Sequence, residues 1–431
     1  MENLKEIEGM NEFDLHMPSE VLPIQVKQNK SVVGKISLSN FPTGARSGFG
    51  QGKQTQFEIN VQNSQQMLLS SSVICCKVKL TAGPAVDKYV LFRGGQTILK
   101  SLTVSLDNKK LVDIQNHADK VADFNLMTSS TSAELDQAYG TMAFNRNMKL
   151  DDEITVRIDL KKYGLDIGNL IPTGTIGSIL TINGTINDNA LTQFGTGTTG
   201  TPANNVAPTD AIRLEYDDIR LESEFVELQP MLLSKRLEKI KSSSGLTIPF
   251  HTYAVDARIL ANVGTFNERI ALSYNNVISL YQIPYNQTKT ANYYSNIKWS
   301  DTMTMDDIDD YYVKFDGGQY YNLNSNTGQS GYASHAQALI NATRSEFTQP
   351  GHGNIIVRLM NDYQVLACNF VRSNNVLSPS ITDSGVNARL QSGIIGTEAR
   401  FDSNITNKQL ITIVKFTRRI VFKNGSMDVF S

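Results

Sequence analysis

The residues best suited to metal binding or proton transfer are five histidines, His16, His117, His251, His335 and His352. They are scattered along the chain without metal-ligand spacing, and neither a His-Glu-x-x-His pair nor a Cys-x-x-Cys pair occurs. Each therefore reads as a surface or capping histidine. The run SGFGQGKQ (Ser47–Gln54) has alternating glycines and a lysine, as a phosphate-cradling loop does. It lacks the required glycine spacing and a Ser or Thr after Lys53, so it reads as part of a flexible arm.

Carboxylates are no more convergent. Asp306-Asp307-Ile308-Asp309-Asp310 is acidic enough to attract Ca²⁺, but an EF-hand loop also needs a central Gly and a Glu at its twelfth place. It reads as a solvated turn, with weak cation binding as the alternative. Asp151-Asp152-Glu153 precedes a strand pattern and reads as an exposed edge. A glycosidase needs two carboxylates converging across a sugar, and 42 acidic residues nominate no pair. Arg418-Arg419 falls within a strand pattern, where neighbouring side chains face opposite ways. That arrangement suits ion pairs or a subunit contact better than a phosphate patch. The single tryptophan, Trp299, reads as core. No catalytic, cofactor-binding or metal-binding residue is nominated.

Composition narrows the classes further. The 431 residues carry 40 basic and 42 acidic side chains, a formal charge of -2, and 19% are charged. Broad nucleic-acid binding needs clustered Lys and Arg to displace phosphate counterions, and this balance does not supply them. Aromatic and β-branched residues run throughout, which argues against disorder. The longest apolar runs, around Val73–Leu80 and Ile411–Phe416, are strand-sized and far below the roughly 20 residues of a membrane helix. The opening MENLKEIEGMNEFDLHM shows no secretion signal. Cys75 and Cys76 are adjacent and Cys368 stands alone, so a reducing, intracellular folding compartment is expected.

The elements that would position these residues are strands. Residues 1–54 read as an extended arm, with one short strand at Ile24–Val26. In FEINVQ, Phe57, Ile59 and Val61 alternate with polar residues, and VICCKVKL (Val73–Leu80) reads as a strand covered on both faces. Ile98–Ile114 reads as a hairpin with its turn at Asp107-Asn108. Asn116–Ser130 reads as a short helix on Ala118, Val121, Ala122, Asn125 and Leu126. Strands resume at Glu153–Leu160 and Ser178–Ile186. The Gly/Thr/Pro/Asn-rich stretch 190–210 reads as a loop, and Ala211–Leu228 alternates strictly. Pro230–Ile240 is helical, with Pro230 in the first turn and Leu233, Leu237 and Ile240 on one face. The β pattern then restarts at Leu246–Val255, Asn275–Ile283 and Asp310–Phe315. A helix is expected at Tyr332–Phe347. Strands follow at Asn354–Leu359, Gln364–Val371 and Leu410–Phe416. Short strands with Gly/Pro/Asn turns, twice over, imply two sandwiches. The expected domains are an arm (1–54), a first sandwich (55–228), a helical linker (229–245) and a second sandwich (246–431).

The ordered strings resemble the double jelly-roll major capsid proteins of icosahedral viruses: tailless membrane-containing bacteriophages, adenovirus hexon, polinton-like viruses and virophages. In the first half, GGQTILKSLTVSLDNKKLVDIQNHADKVADFNLM (Gly94–Met127) is similar to the family's strand, hairpin and helix, with Asn108-Lys109 where the family's turn usually has a Gly. VRIDLKKYGLDIGNLIP (Val156–Pro172) resembles the segment crossing the trimer's flank. In the second half, SSSGLTIPFHTYAV (Ser242–Val255) resembles the start of the second jelly roll, and SLYQIPY (Ser279–Tyr285) its next strand. Asp310–Arg344 resembles strand, Gly-Gly turn, crossing and helix, without the Pro that often follows the aromatic near Tyr321. FTRRIVFKNGSMDVF (Phe416–Phe430) resembles the final strand pair. The likeness covers about residues 55–430.

The resemblance implies an all-β fold of two consecutive eight-stranded jelly-roll sandwiches with short inserted helices. It implies a structural protein and no enzyme. Three copies would form a pseudo-hexagonal capsomer that tiles an icosahedral virion shell around the genome. The partners implied are the homotrimer, neighbouring capsomers, penton and minor or cement proteins and an internal membrane, with no cofactor and no strong direct nucleic-acid binding. The location implied is the capsid, made and assembled inside the host cell. From the residues alone, a carbohydrate-binding β-sandwich and a β-sandwich glycosidase stay open as alternatives.

Overall fold

A computed structural model of the chain describes residues 32–50, 52–82, 90–92, 94–128, 143, 146–165, 167, 170–172, 178–187, 194–196, 213–260, 263–271, 274, 276–286, 308–315, 318–324, 342, 366–370, 394–405 and 408–430. Strands dominate these residues. The helices among them are α1 (Ala118–Thr128) and α2 (Pro230–Lys241), with single-turn 3₁₀ segments at Gly95–Thr97 and Leu160–Tyr163. The expected strands at Ile24–Val26 and Asn354–Leu359 lie outside the described residues, as does the helix at Tyr332–Phe347 except for Ala342, which is helical.

The first half folds as two facing antiparallel sheets. One has the order β1 (Val32–Asn40), β13 (Arg213–Leu228), β4 (Gln66–Ala82), β10 (Leu170–Ile171). Strand β2 (Phe49–Gly50) also pairs β13, and β9 (Glu153–Asp159) also pairs β4. The other has the order β3 (Gln56–Val61), β11 (Leu180–Ile186), β6 (Leu99–Leu106), β7 (Lys109–Ile114). A small sheet of β12 (Phe194–Thr196), β5 (Val90–Phe92) and β8 (Arg146–Met148) completes this half, so the stretch read as a loop at 190–210 contains a strand.

The second half repeats the plan. Its sheets are β14 (Leu246–Leu260), β21 (Lys408–Lys423), β16 (Val277–Asn286), β19 (Leu366–Asn369), with β22 (Ser426–Phe430) on β21. Facing them in the same plan are β15 (Val263–Ala271), β20 (Ile394–Ile405), β17 (Ile308–Phe315), β18 (Gly318–Asn324). In the first half β1 pairs β13 and β3 pairs β11, and in the second β14 pairs β21 and β15 pairs β20, so early strands meet late ones in both sheets. That double Greek key is the jelly roll, and this chain contains it twice.

Local sequence explains the local structure. In β3 and β9, burial alternates residue by residue, as a sheet with one wet face requires. Asp107 and Asn108 both take left-handed conformations, φ 48 and 62, and close the β6–β7 hairpin in two residues. Such a pair of positive φ values twists a two-residue turn to match the strands it joins. Asp107 then accepts hydrogen bonds from Ser178 Oγ (2.6 Å) and the Ile179 amide (3.0 Å), which fixes the turn to the start of β11.

The segment read as an arm contributes two strands here. β1 pairs β13 from Val32↔Leu228 to Asn40↔Leu221, and β2 pairs it at Tyr216↔Phe49. Phe49 is fully buried. Gly50 lies so close to β13 that a Cβ would meet the Leu214 carbonyl at 2.5 Å, so the glycine is a packing requirement.

Strand β21 differs from the alternating strands. Every residue from Leu410 to Thr417 is buried, as is Val277–Ile283 of β16 beside it. This sheet is covered on both faces. Tyr281↔Ile413 and Ile283↔Ile411 share one face, and all four belong to a contiguous core that also contains Phe124 of α1 and Leu102 of β6. The first half supplies that cover.

Candidate functional site

The first sandwich carries a buried polar cluster beside its contact with the second. At its centre is α1, whose residues Ala118 to Leu126 are all buried although Asp119, Lys120, Asp123 and Asn125 are polar. Buried polar groups must be paired to be tolerated. Asp119 and Lys120 form an ion pair at 3.2 Å. Gln96 Nε2 donates to Asp123 Oδ1 (3.4 Å), Asn125 Nδ2 to the Lys162 carbonyl (2.7 Å), and Tyr163 Oη to the Gln96 carbonyl (3.0 Å). Burial, and then the charges of Asp119 and Asp123, push the Tyr163 phenol well above its ordinary pKa, so it serves as a hydrogen-bond donor at every physiological pH.

Aromatic and backbone contacts lock the two halves across this cluster. The Phe124 ring lies 4.6 Å from that of Tyr281, tilted by 51°. Such pairs contribute about 0.5–1.5 kcal/mol beyond their burial. Tyr281 Oη donates to the Ala342 carbonyl (2.8 Å) and accepts from Ser279 Oγ (3.0 Å). Gly164, at φ 86, presses on the second sandwich so closely that a Cβ would fall 2.7 Å from Tyr253 Cδ2.

At one end Arg418 Nη1 donates to the Lys110 and Leu111 carbonyls, and Lys109 pairs with Asp428 at 3.2 Å. Arg418 thus serves a contact, as its place in a strand suggested, but the contact is within the chain. At the linker, α2 begins with Pro230 in its first turn and ends at Ser242, whose hydroxyl receives the Gly245 amide. Its buried stripe is Leu232, Arg236 and Ile240, not Leu233 and Leu237 with Ile240. The reason is Arg236, which turns inward and donates from Nη2 to the Leu170 carbonyl of β10. Burial lowers its pKa to about 10, still high enough to keep the charge at neutral pH.

The other singled-out residues are structural where they are described. His117 takes a left-handed conformation, φ 61, and its carbonyl receives the Lys120 and Val121 amides at the start of α1. His251 Nδ1 lies 3.3 Å from Thr417 Oγ1, and burial with nearby Lys415 pushes its pKa down to about 3. In the glycine-rich run, Lys53 pairs with Glu215 at 2.7 Å and the Gly48 amide donates to Asp217 Oδ1, so the loop is fastened to β13. Asp151 and Glu153 pair with Lys79 and Lys77 on the sheet edge. Ile308–Asp310 begin β17, while Asp306, Asp307, His16, His335, His352 and Trp299 lie outside the described residues.

Cys75 and Cys76 do face opposite ways. Cys76 joins the core, while Cys75 lies under Glu222, Arg157 and Arg220, and burial pushes its thiol up to about 12. All three thiols are buried. Among the described residues, no group of three His, Cys, Asp or Glu side chains is placed to hold a metal ion, and no helix is long and apolar enough to cross a membrane. The polar bonds around α1 brace the first half, while Phe124–Tyr281, Gly164–Tyr253 and Arg418 join it to the second. Sequence reasoning missed the α1 cluster. Its signal was a helix with ionisable residues on more than one face, which no single wet face could accommodate.

No protein-family model matches the sequence, and no curated protein matches it by sequence. Solved structures do match in fold. The crystal structure of PBCV-1 VP54, fitted into a reconstruction of the virophage Sputnik, is 10% identical with a TM-score of 0.62, covering 93% of this chain and 97% of that one. The Faustovirus major capsid protein is 11% identical with a TM-score of 0.60, covering 97% and 96%. A cryo-EM structure of the Sputnik virophage gives 12% identity and 0.53, covering 93% and 89%. Similarity over nearly the whole of both chains establishes the double jelly roll as the fold.

Proposed function

We propose that this chain is a viral major capsid protein that acts by assembly alone. Three copies form a pseudo-hexagonal capsomer, and capsomers tile an icosahedral shell around the genome. The observation that carries this reading is the repeated jelly roll with a buried, hydrogen-bonded seam. Two rigidly joined sandwiches per chain give six similar bodies from a three-fold contact, which is what a hexagonal tile needs. The fold shared with capsid proteins of PBCV-1 and Faustovirus supports it.

Within this reading, residues 55–228 and 246–431 are the two towers, 229–245 is the linker, and 1–54 is an arm that reaches toward neighbours and lends β1 and β2 to the first sheet. The partners are neighbouring capsomers, penton and minor or cement proteins, and a membrane beneath the shell. The protein is made and assembled inside the host cell and ends in the virion. A net charge of -2 fits a genome enclosed without being gripped.

Size-exclusion chromatography with light scattering on the purified full chain tests the reading. The expected mass is three times 47.7 kDa, or shell-like particles. A monomer that persists at about 100 μM would overturn it.

A further inference from the structure

The outer face of the β3-β11-β6-β7 sheet carries a trough of about 480 Å³, within the range of small-molecule clefts. It crosses the strands instead of following them. Register places Gln56, Thr185 and Ser101 in one cross-strand row and Glu58, Asn183 and Thr103 in the next. One wall is the segment Pro42–Ala45, held beside β3 by a Pro42–Ile59 bridge and a Thr43 amide donating to the Glu58 carbonyl at 2.9 Å.

The chemistry of this floor is unusual for a sheet face. Its side chains are amides and hydroxyls, each offering both donor and acceptor, and Glu58 is the one charged group among the lining residues. Asn183, Thr185 and Ser101 spend no side-chain hydrogen bond on described neighbours. Glu58, a lining residue, accepts from Asn60 Nδ2 at 2.8 Å on Oε1. At the far margin Thr103 and Lys110 are both bound to Asp113 (3.2 and 2.6 Å), so that ammonium is already neutralised. The large aromatic of the region, Phe57, lies on the core side across Gly184, where a Cβ would fall 2.3 Å from its ring.

These features select against most ligands. Without an unpaired cation the trough repels phosphates, sulfated or sialylated sugars and nucleic acid. Without exposed apolar pockets it gives a polypeptide segment little surface to bury. A chain of neutral hydroxyls satisfies the amides, the hydroxyls and the single carboxylate together. The geometry points to a neutral oligosaccharide lying across β3, β11 and β6, a binding site on the shell protein.

Saturation-transfer-difference NMR tests this, with the full chain and neutral di- to tetrasaccharides of glucose, galactose, mannose and N-acetylhexosamines. At least one probe is expected to bind, and the exposed double variant Asn183→Ala/Gln56→Ala is expected to bind about tenfold more weakly with an unchanged melting temperature. A control on the other sheet, Lys77→Ala, should bind as the parent does. Absence of transfer from every neutral probe, or binding untouched by the double variant, overturns the site. So does protection of Asn183→Cys from maleimide in the assembled oligomer, which would assign the trough to a contact with another polypeptide. That last arm separates failure of the sugar site from failure of the capsid reading.

Discussion

Arg418 Nη1, in the second sandwich, donates to the carbonyls of both Lys110 and Leu111 in the first, at 2.8 and 3.0 Å across more than 300 residues of chain. One guanidinium therefore reports on whether the halves are docked. Burial lowers its pKa, while the neighbouring Tyr274 and Asp113 support the charge.

Replacing it leaves two carbonyls at the seam without this donor. Arg418→Ala is expected to cost about 2–3 kcal/mol, because a lost charged hydrogen bond is combined with desolvated acceptors. Calorimetry should show the single transition broaden or split as the halves uncouple. Arg418→Lys should recover only part, since an ammonium does not reproduce the planar fork. A parent-like, unsplit transition in Arg418→Ala would show that the contact does not couple the halves.

Gly164 is a sharper test of docking, because two effects act together there. An alanine would take φ 86, which costs about 1 kcal/mol, and would meet Tyr253 at 2.7 Å. Gly164→Ala should lower stability by about 2–4 kcal/mol, and the double variant Gly164→Ala/Tyr253→Ala should restore part of the loss. Additive losses in chemical denaturation would place the strain elsewhere.

His251 sets a pH dependence whose sign follows from its burial. Its folded pKa, about 3, is below the ordinary 6.5, so between those values the unfolded chain holds a proton that the folded chain does not. Stability from this residue is complete above pH 6.5 and falls as pH drops toward 3, by at most about 1.4 kcal/mol per pH unit. His251→Asn, which keeps an acceptor near Thr417, should flatten that slope in urea titrations at pH 4 to 7. An identical slope in the variant would assign the acid sensitivity to other groups.

Arg236 tethers the linker helix to the first sandwich at Leu170. Arg236→Met fills similar volume without the donor and is expected to lose about 1–3 kcal/mol, with the parent's mass in solution retained. Faster amide exchange across α2 in the variant would locate the loss. Unchanged exchange would show that the helix is held by Leu232 and Ile240 alone.

The strands were the most legible part of the chain. The alternation of Phe57, Ile59 and Val61, the Asp107-Asn108 turn and the span of α2 all follow from period and turn chemistry, which are local. What stayed hidden depends on partners far along the chain. The glycine-rich run looked like a spacer because the groups that hold it, Asp217 and Glu215, lie more than 160 residues away. The α2 stripe is displaced by one position because an arginine, polar by type, is the buried member. VICCKVKL reads as doubly covered, yet Lys77 is exposed and Cys75 is roofed by the Arg157–Glu222 pair at 2.7 Å instead of by hydrocarbon. Periodicity cannot distinguish a salt-bridge roof from an apolar one. The α1 cluster was least legible of all, since buried Asp119, Lys120 and Asp123 have the composition of a wet helix.

The unequal burial of the two equivalent sheets sets an order of events during synthesis. All strands of the first sandwich have been translated by Leu228, and the exposed face of its outer sheet is already roofed by charge pairs such as Lys35–Glu224 and Lys77–Glu153. It can close while the ribosome is still making the rest, a delay of roughly 10–40 s at typical elongation rates. The second sandwich has no such independence, because Tyr281, Ile283, Ile411 and Ile413 need the first as a surface to fold against. The leading half is thus a template for the trailing half, and reversing their order in the gene would leave a sticky sheet waiting for its cover.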